Sequence, residues 1–510
     1  MNYISHRLRT TTSFLLLGVS LGVTRAEVRL PGLFSDNMVL QQGMKVPVWG
    51  WANDGEAITV SFLNRTASTV ARDGKWRVNL SRLEARSVGM FTVSTKTQTI
   101  QYTNVLVGDV WICSGQSNME FPLSRSYASA DDIAAATNGL IRLFLVPKLK
   151  AEAPVADVKA RWELCTPESA ARFSAVGYYF GRALHPVTQR SFPSPVGLIG
   201  TYWGGSPAEV WMSHQALAAD SRYQAEILAP ADKAQQSLRR AVADFEKEKA
   251  AAEAAGTPFT KRPPRASWIP SELYNGMIAP LQPYAIQGAI WYQGEANAGR
   301  AEQYRSLFPD MIRNWRSAWG RDFTFLCVQL APYKVIQAQP GESDWAELRE
   351  AQLLATKVLP KVGMAVITDV GDEKDIHPTK KQPVGERLAL AARAIAGAEK
   401  IPFSGPLYRS MKRQDGHIVL TFEHAGDGLV AKDGDLKGFT ICGEDRKWVW
   451  ATAKIQTKDT IIVNSPEVPQ PVAVRFGWAD YPVVNLWNQD GLPATPFRTD
   501  DFPLITAKKK

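Results

Sequence analysis

The run Val110-Trp111-Ile112-Cys113-Ser114-Gly115-Gln116-Ser117-Asn118-Met119 constrains this chain more than any other stretch. A β-rich apolar segment that stops at a Ser-Gly-Gln-Ser turn reads as a buried strand. It delivers small polar residues to the carboxyl edge of a parallel sheet, where open α/β folds place their chemistry. Ser117 is therefore the candidate nucleophile. A lone Gly-x-Ser is common, and an ordinary turn with a solvated serine is the competing reading. The choice turns on whether the rest of the chain supplies a base and oxyanion donors.

The flanks fit a sheet of that kind. Short apolar runs at 141–146, 196–202, 286–292, 323–330 and 362–368 alternate with helical periodicities at 174–185, 304–319 and 345–357. Such alternation predicts an α/β core, about 106–400, with helices on both faces of a parallel sheet. Before it, residues 27–105 read as an N-terminal β-sandwich, with turns at Asn53-Asp54-Gly55 and Asp73-Gly74. After it, 401–510 reads as a second β-rich domain, with strand-like runs at 417–422, 460–463 and 472–476. Residues 218–255, rich in Ala, Glu, Lys and Arg, break at Gly256 and Pro263-Pro264. The segment to about 265 reads as a helical insertion, either a lid, a partner-contacting arm or solvated decoration.

The first 26 residues read as a secretory signal: Arg7 and Arg9 precede an apolar run over 14–23, and Thr24-Arg25-Ala26 offers small residues for cleavage. That run is too short to span a membrane and no later segment qualifies, so the expected product is exported, periplasmic or extracellular, without a membrane span. The formal charge of +9 draws on Arg7, Arg9, Arg25 and Lys508 to Lys510 at the two ends. No basic stripe interleaves with aromatics, which argues against nucleic acid as a partner. Sixteen tryptophans fit either a sugar-binding surface or an aromatic core. Four cysteines could pair in an oxidising compartment, but Cys113 and Cys327 lie in strand-like runs, where free core thiols are expected as readily.

A serine nucleophile needs a base, because its hydroxyl is protonated near neutrality. Of six histidines, His377 is the candidate. It follows the last α/β strand, in a loop rich in carboxylates, with Pro378 placed to open a helix. Asp375, two residues earlier, is the nearest acid to orient the ring; Asp372 and Glu373 are alternatives, with Asp372 better read as capping the helix that follows or solvating the loop. Two further strand ends carry glycine turns, at Gly204-Gly205 and at Gln293-Gly294-Glu295. The N–H groups of Ser117 and of Gly204 or Gly205, with the Gln293 amide, are the candidate oxyanion hole. Glu295 reads as an anchor for its turn.

Four blocks in this order, Ser114 to Met119, Trp203 to Trp211, Trp291 to Asn297 and Asp375 to Pro378, resemble the sialate O-acetylesterase family of the SGNH-hydrolase superfamily. Flanking stretches at 33–41, 274–281 and 491–500 are similar too, so the likeness covers nearly the whole mature chain. The resemblance implies a three-layer SGNH-type α/β/α core flanked by β-sandwich domains, with Ser117 as nucleophile, His377 as base, Asp375 as acid, and neither metal nor cofactor. It implies removal of O-acetyl groups from sialic acids, or from xylan or other glycans as relatives do. Two positions depart from the superfamily pattern: the acid lies two rather than three residues before the histidine, and Gln293-Gly294-Glu295 stands where the third oxyanion donor is expected. A sugar-binding protein with a decayed site is the rival from outside the enzymes.

Overall fold

The computed structural model describes residues 27–184 and 194–508. The proposed signal over 1–26 and His185 lie outside them. Seven strands build the central sheet in the order Val362–Ala365, Thr324–Val328, Gly288–Tyr292, Thr99–Gly115, Val196–Tyr202, Ile141–Leu145 and Trp162–Leu164. All neighbours are parallel except the last pair. The strand carrying Val110 to Gly115 thus lies at the centre. Its side chains alternate between faces, as the two-residue period of a strand requires. Trp111 and Cys113 join a core with Val176, Phe180 and Leu388, from the helices Ala175–Ala183 and Gln382–Ile395. Val110 and Ile112 join the opposite core with Phe308, Trp315 and Leu348, from Ala301–Trp319 and Asp344–Val358. Three layers follow directly from that alternation.

The change of pattern expected near residue 105 falls inside a single strand. Thr99–Gly115 runs for 17 residues. Its first half pairs with Val88–Ser94 and Val39–Gln41, its second half with the parallel core. One eleven-stranded sheet therefore continues from the N-terminal β region into the core. Beyond the core, two four-stranded antiparallel sheets enclose a separate apolar cluster around Ile418, Ile441, Val463 and Phe476. The insertion forms a helix, Ala229–Ala254, with no buried residue. Among the described residues no helix is long and apolar enough to cross a membrane. All four cysteines are buried free thiols. Trp111, Trp211, Trp291 and Trp315 fill the core, as the bland reading of tryptophan expects.

Candidate active site

The turn after the central strand is set by backbone crowding. Gly115 has φ +138°, and a Cβ there would stand 2.2 Å from the Tyr292 carbonyl oxygen. Only glycine lets the strand pass its neighbour so closely before turning. Gln116 N–H then donates to the same carbonyl at 3.0 Å, and Ser117 opens a one-turn helix ending at Glu120. At that first helical position the Ser117 N–H has no intrahelical acceptor.

His377 arrives from the loop after Val362–Ala365, 260 residues away in sequence. Its Nε2 lies 2.8 Å from Ser117 Oγ. Its Nδ1 is 3.3 Å from Asp375 Oδ1, and the same oxygen accepts the His377 backbone N–H at 2.8 Å. The other acids are occupied elsewhere. Asp372 Oδ1 accepts the backbone N–H groups of Lys374 and Asp375 within the loop and not at the start of the next helix, and Glu373 accepts that of Ile336. Pro378 does not open a helix; the next one begins at Gln382, with Pro383 in its first turn. Burial pushes the His377 imidazolium below its ordinary value; Asp375 opposes that, while Lys381 and Arg125 add to it.

The oxyanion donors are only partly in place. Gly204 lies beside the nucleophile, where an added Cβ would meet Ser117 Cβ at 3.3 Å. Its N–H donates to Glu120 Oε2 at 2.7 Å, and the other Glu120 oxygen takes Lys148. Gly205, exposed, turns with φ +74°. The Gln293 amide is not available. It is fully buried, and its nitrogen donates to Ser206 O at 3.2 Å and Asn297 Oδ1 at 2.6 Å. An amide has two N–H groups, and both are spent inside the core. Gln293 instead braces the turn, with its carbonyl accepting from Tyr304.

Around this pair opens a cleft of about 690 Å³, lined by Ser117, His377, Glu120, Arg125, Lys148 and Arg172 among others. Sequence reasoning did not place those three cations there, because they come from three separate elements: the short helix Leu123–Arg125, the loop after Ile141–Leu145 and the helix Pro167–Arg172. Arg349 is wholly buried in the core. Half-buried Trp203, which precedes Gly204, meets Trp268 edge to face at 5.6 Å between centroids, with the Lys150 ammonium 4.1 Å from the Trp268 ring centre.

The family described as carbohydrate esterase, sialic acid-specific acetylesterase, matches residues 255–394, a span that includes His377 but not Ser117. The sialate O-acetylesterase of Mus musculus is 29% identical over 92% of this chain and 94% of its own. That of Homo sapiens is 28% identical over 92% of each. A solved structure, a carbohydrate acetylesterase from Xanthomonas citri, superposes with a TM-score of 0.80 at 38% identity, over 93% of this chain and all of that one. Together with the fold, these likenesses define an ester hydrolase of the carbohydrate-esterase class. The chain belongs to the sialate O-acetylesterase family.

Proposed function

We propose that this protein is an exported carbohydrate O-acetylesterase that works through a Ser117–His377–Asp375 acyl-enzyme cycle, with acetylated sialic acids as its preferred substrates. The observation that carries the reading is the 2.8 Å approach of His377 Nε2 to Ser117 Oγ at the sheet edge. His377 takes the serine proton as Oγ attacks the acetyl carbonyl, with Asp375 steadying the ring through Nδ1. The proton passes to the departing sugar oxygen, leaving acetyl-Ser117. Water, deprotonated by the same ring, then releases acetate. Ser117 N–H and the Gly204-Gly205 backbone receive the oxyanion. For Gly204 this requires the Glu120 carboxylate to yield its hydrogen bond, and Lys148 is already placed to hold it.

Arg125, Lys148 and Arg172 around the cleft support an acidic sugar, since a carboxylate there finds guanidinium and ammonium donors. The names of the mammalian relatives point the same way. Acetate release from a panel of O-acetylated sialic acids, acetylated xylan and acetylated pectin tests the assignment. The sialic acids should give the highest kcat/KM; a neutral xylan turned over faster than every sialic acid would remove the acidic-sugar reading and favour the acetylxylan alternative.

The base must be unprotonated to act. Because the His377 value is lowered from 6.5, the ring stays neutral into mildly acidic solution, and activity should persist to below pH 6.5 before falling. The measurement is kcat/KM against pH on an activated acetyl ester. An acid limb centred well above 6.5, or a profile flat through the acid range, rejects His377 as base.

A further inference from the structure

Behind the Ser117–His377 pair lies a group of polar side chains that touches no reacting atom in the cycle above. Asn118, fully buried, donates through Nδ2 to Glu295 Oε1 at 2.6 Å and to the Ile376 carbonyl at 2.9 Å. Its Oδ1 accepts from Lys381 Nζ. Asn118 follows the nucleophile directly and Ile376 directly precedes the base. One amide therefore joins the two backbones that must keep Oγ and Nε2 in reach.

Lys381 is 0% exposed, an unusual condition for an ammonium. Its Nζ lies 4.9 Å from the Phe121 ring centre and 5.3 Å from that of Tyr292, so the walls around it are aromatic faces. Glu295 reaches the far side of the Asn118 amide with one oxygen, while its Oε2 is buried without a hydrogen-bond partner. Burying an uncompensated charge is costly, so a lysine and a carboxylate on either side of one amide are each the other's compensation.

We propose that Asn118, Lys381 and Glu295 form a positioning clamp, in which Lys381 and Glu295 hold the Asn118 amide from either side and the amide keeps the Ser117 turn and the His377 loop in register. The inference rests on the serine-esterase reading of the same site. The charged groups acting on His377 are Asp375, which favours the imidazolium, and Lys381 and Arg125, which oppose it. Those acting on Lys381 are Glu295 and Asp375, both favouring the ammonium against burial that lowers it to about 7. Glu295 is itself raised by burial, with Asn118 and Lys381 pulling it back. In the mildly acidic range where His377 titrates, Lys381 is thus predominantly charged.

Removing the Lys381 charge removes a contribution that lowers the His377 value, so the acid limb moves to higher pH. Asn118→Ala keeps the charge and loses only the register. Measured on 4-nitrophenyl acetate with the full chain, Asn118→Ala should lose about tenfold or more in kcat, with KM within about threefold and the acid limb in place. Lys381→Met should also lose kcat, with its limb displaced upward by about half a pH unit. Lys381→Gln retains an N–H for Asn118 and carries the same comparison if the methionine variant fails to fold. Turnover surviving Ser117→Ala would sink the esterase reading itself. With that variant inactive, a wild-type kcat in Asn118→Ala or in the folded Lys381 variants overturns the clamp.

Discussion

Ser117→Ala is expected to lower kcat for acetyl-ester hydrolysis by about 10⁵- to 10⁶-fold, the scale seen when a serine nucleophile is removed from a triad that acts as a unit. The change deletes one oxygen from a side chain that is only partly buried, so it creates no cavity of consequence. The strand, the Gly115 turn and the Gln116–Tyr292 hydrogen bond are untouched by it. Loss of activity can therefore be read as loss of chemistry. The check is twofold: acetate release, and labelling by a serine-directed phosphonate, which should mark the wild type at Ser117 and leave the variant unmarked. A variant that keeps more than about a hundredth of wild-type kcat would mean that the nucleophile lies elsewhere.

The largest expected effect on stability belongs to Arg349→Met. The guanidinium is 0% exposed and donates to four carbonyls: Leu330 at 2.8 Å, Ala331 at 3.1 Å, Ala479 at 2.6 Å and Asp480 at 2.8 Å. Two belong to the segment after the Thr324–Val328 strand and two to the C-terminal β region, so one planar fork joins the core to that region. Burial lowers the arginine to about 9, with Asp480 and Tyr292 opposing. Methionine matches much of the volume but offers no donor, and orphaned buried carbonyls cost about 1 to 3 kcal/mol each, less than additively. A loss of about 3 kcal/mol overall is expected, read as a lower urea midpoint with an unchanged slope. A midpoint equal to wild type would show that this fork contributes nothing net to joining the two regions.

How legible was the site? Ser117, Gly204 and His377 announce themselves because each follows a strand-like run with a glycine or a carboxylate-rich loop. A parallel sheet sends all those strand ends to one edge. Asp375 is readable by proximity, since a residue two before a histidine shares its loop. Gln293 misled for a related reason. It follows its strand as the others do, yet its side chain turns inward to Ser206, Asn297 and Tyr304. Strand-end position fixes where a Cα lies and leaves the direction of a flexible amide open. Lys381 gives no local sign of its burial: beside Lys380 in a polar stretch it reads as a solvated lysine. Its placement depends on Asn118 and Phe121 from the Ser117 turn and Tyr292 from the Gly288–Tyr292 strand arriving beside it.

By itself the sequence determined the parts list and their order: a β region, a core of alternating strands and helices, a second β region, and a serine, a glycine turn and a histidine that follow strands in that order along the chain. These are properties of local pattern, since apolar periodicity and backbone permissiveness act over a few residues. Only the tertiary structure decided that the first β region and the core share one continuous sheet, through the 17-residue strand Thr99–Gly115. It alone decided that Arg349 lies in the core while Arg125, Lys148 and Arg172 face the cleft, and that Asn118 ties the Ser117 turn to the His377 loop. Charge and hydrogen bonding across a fold depend on distances between elements hundreds of residues apart, and those distances are set when the two cores close on either side of the sheet.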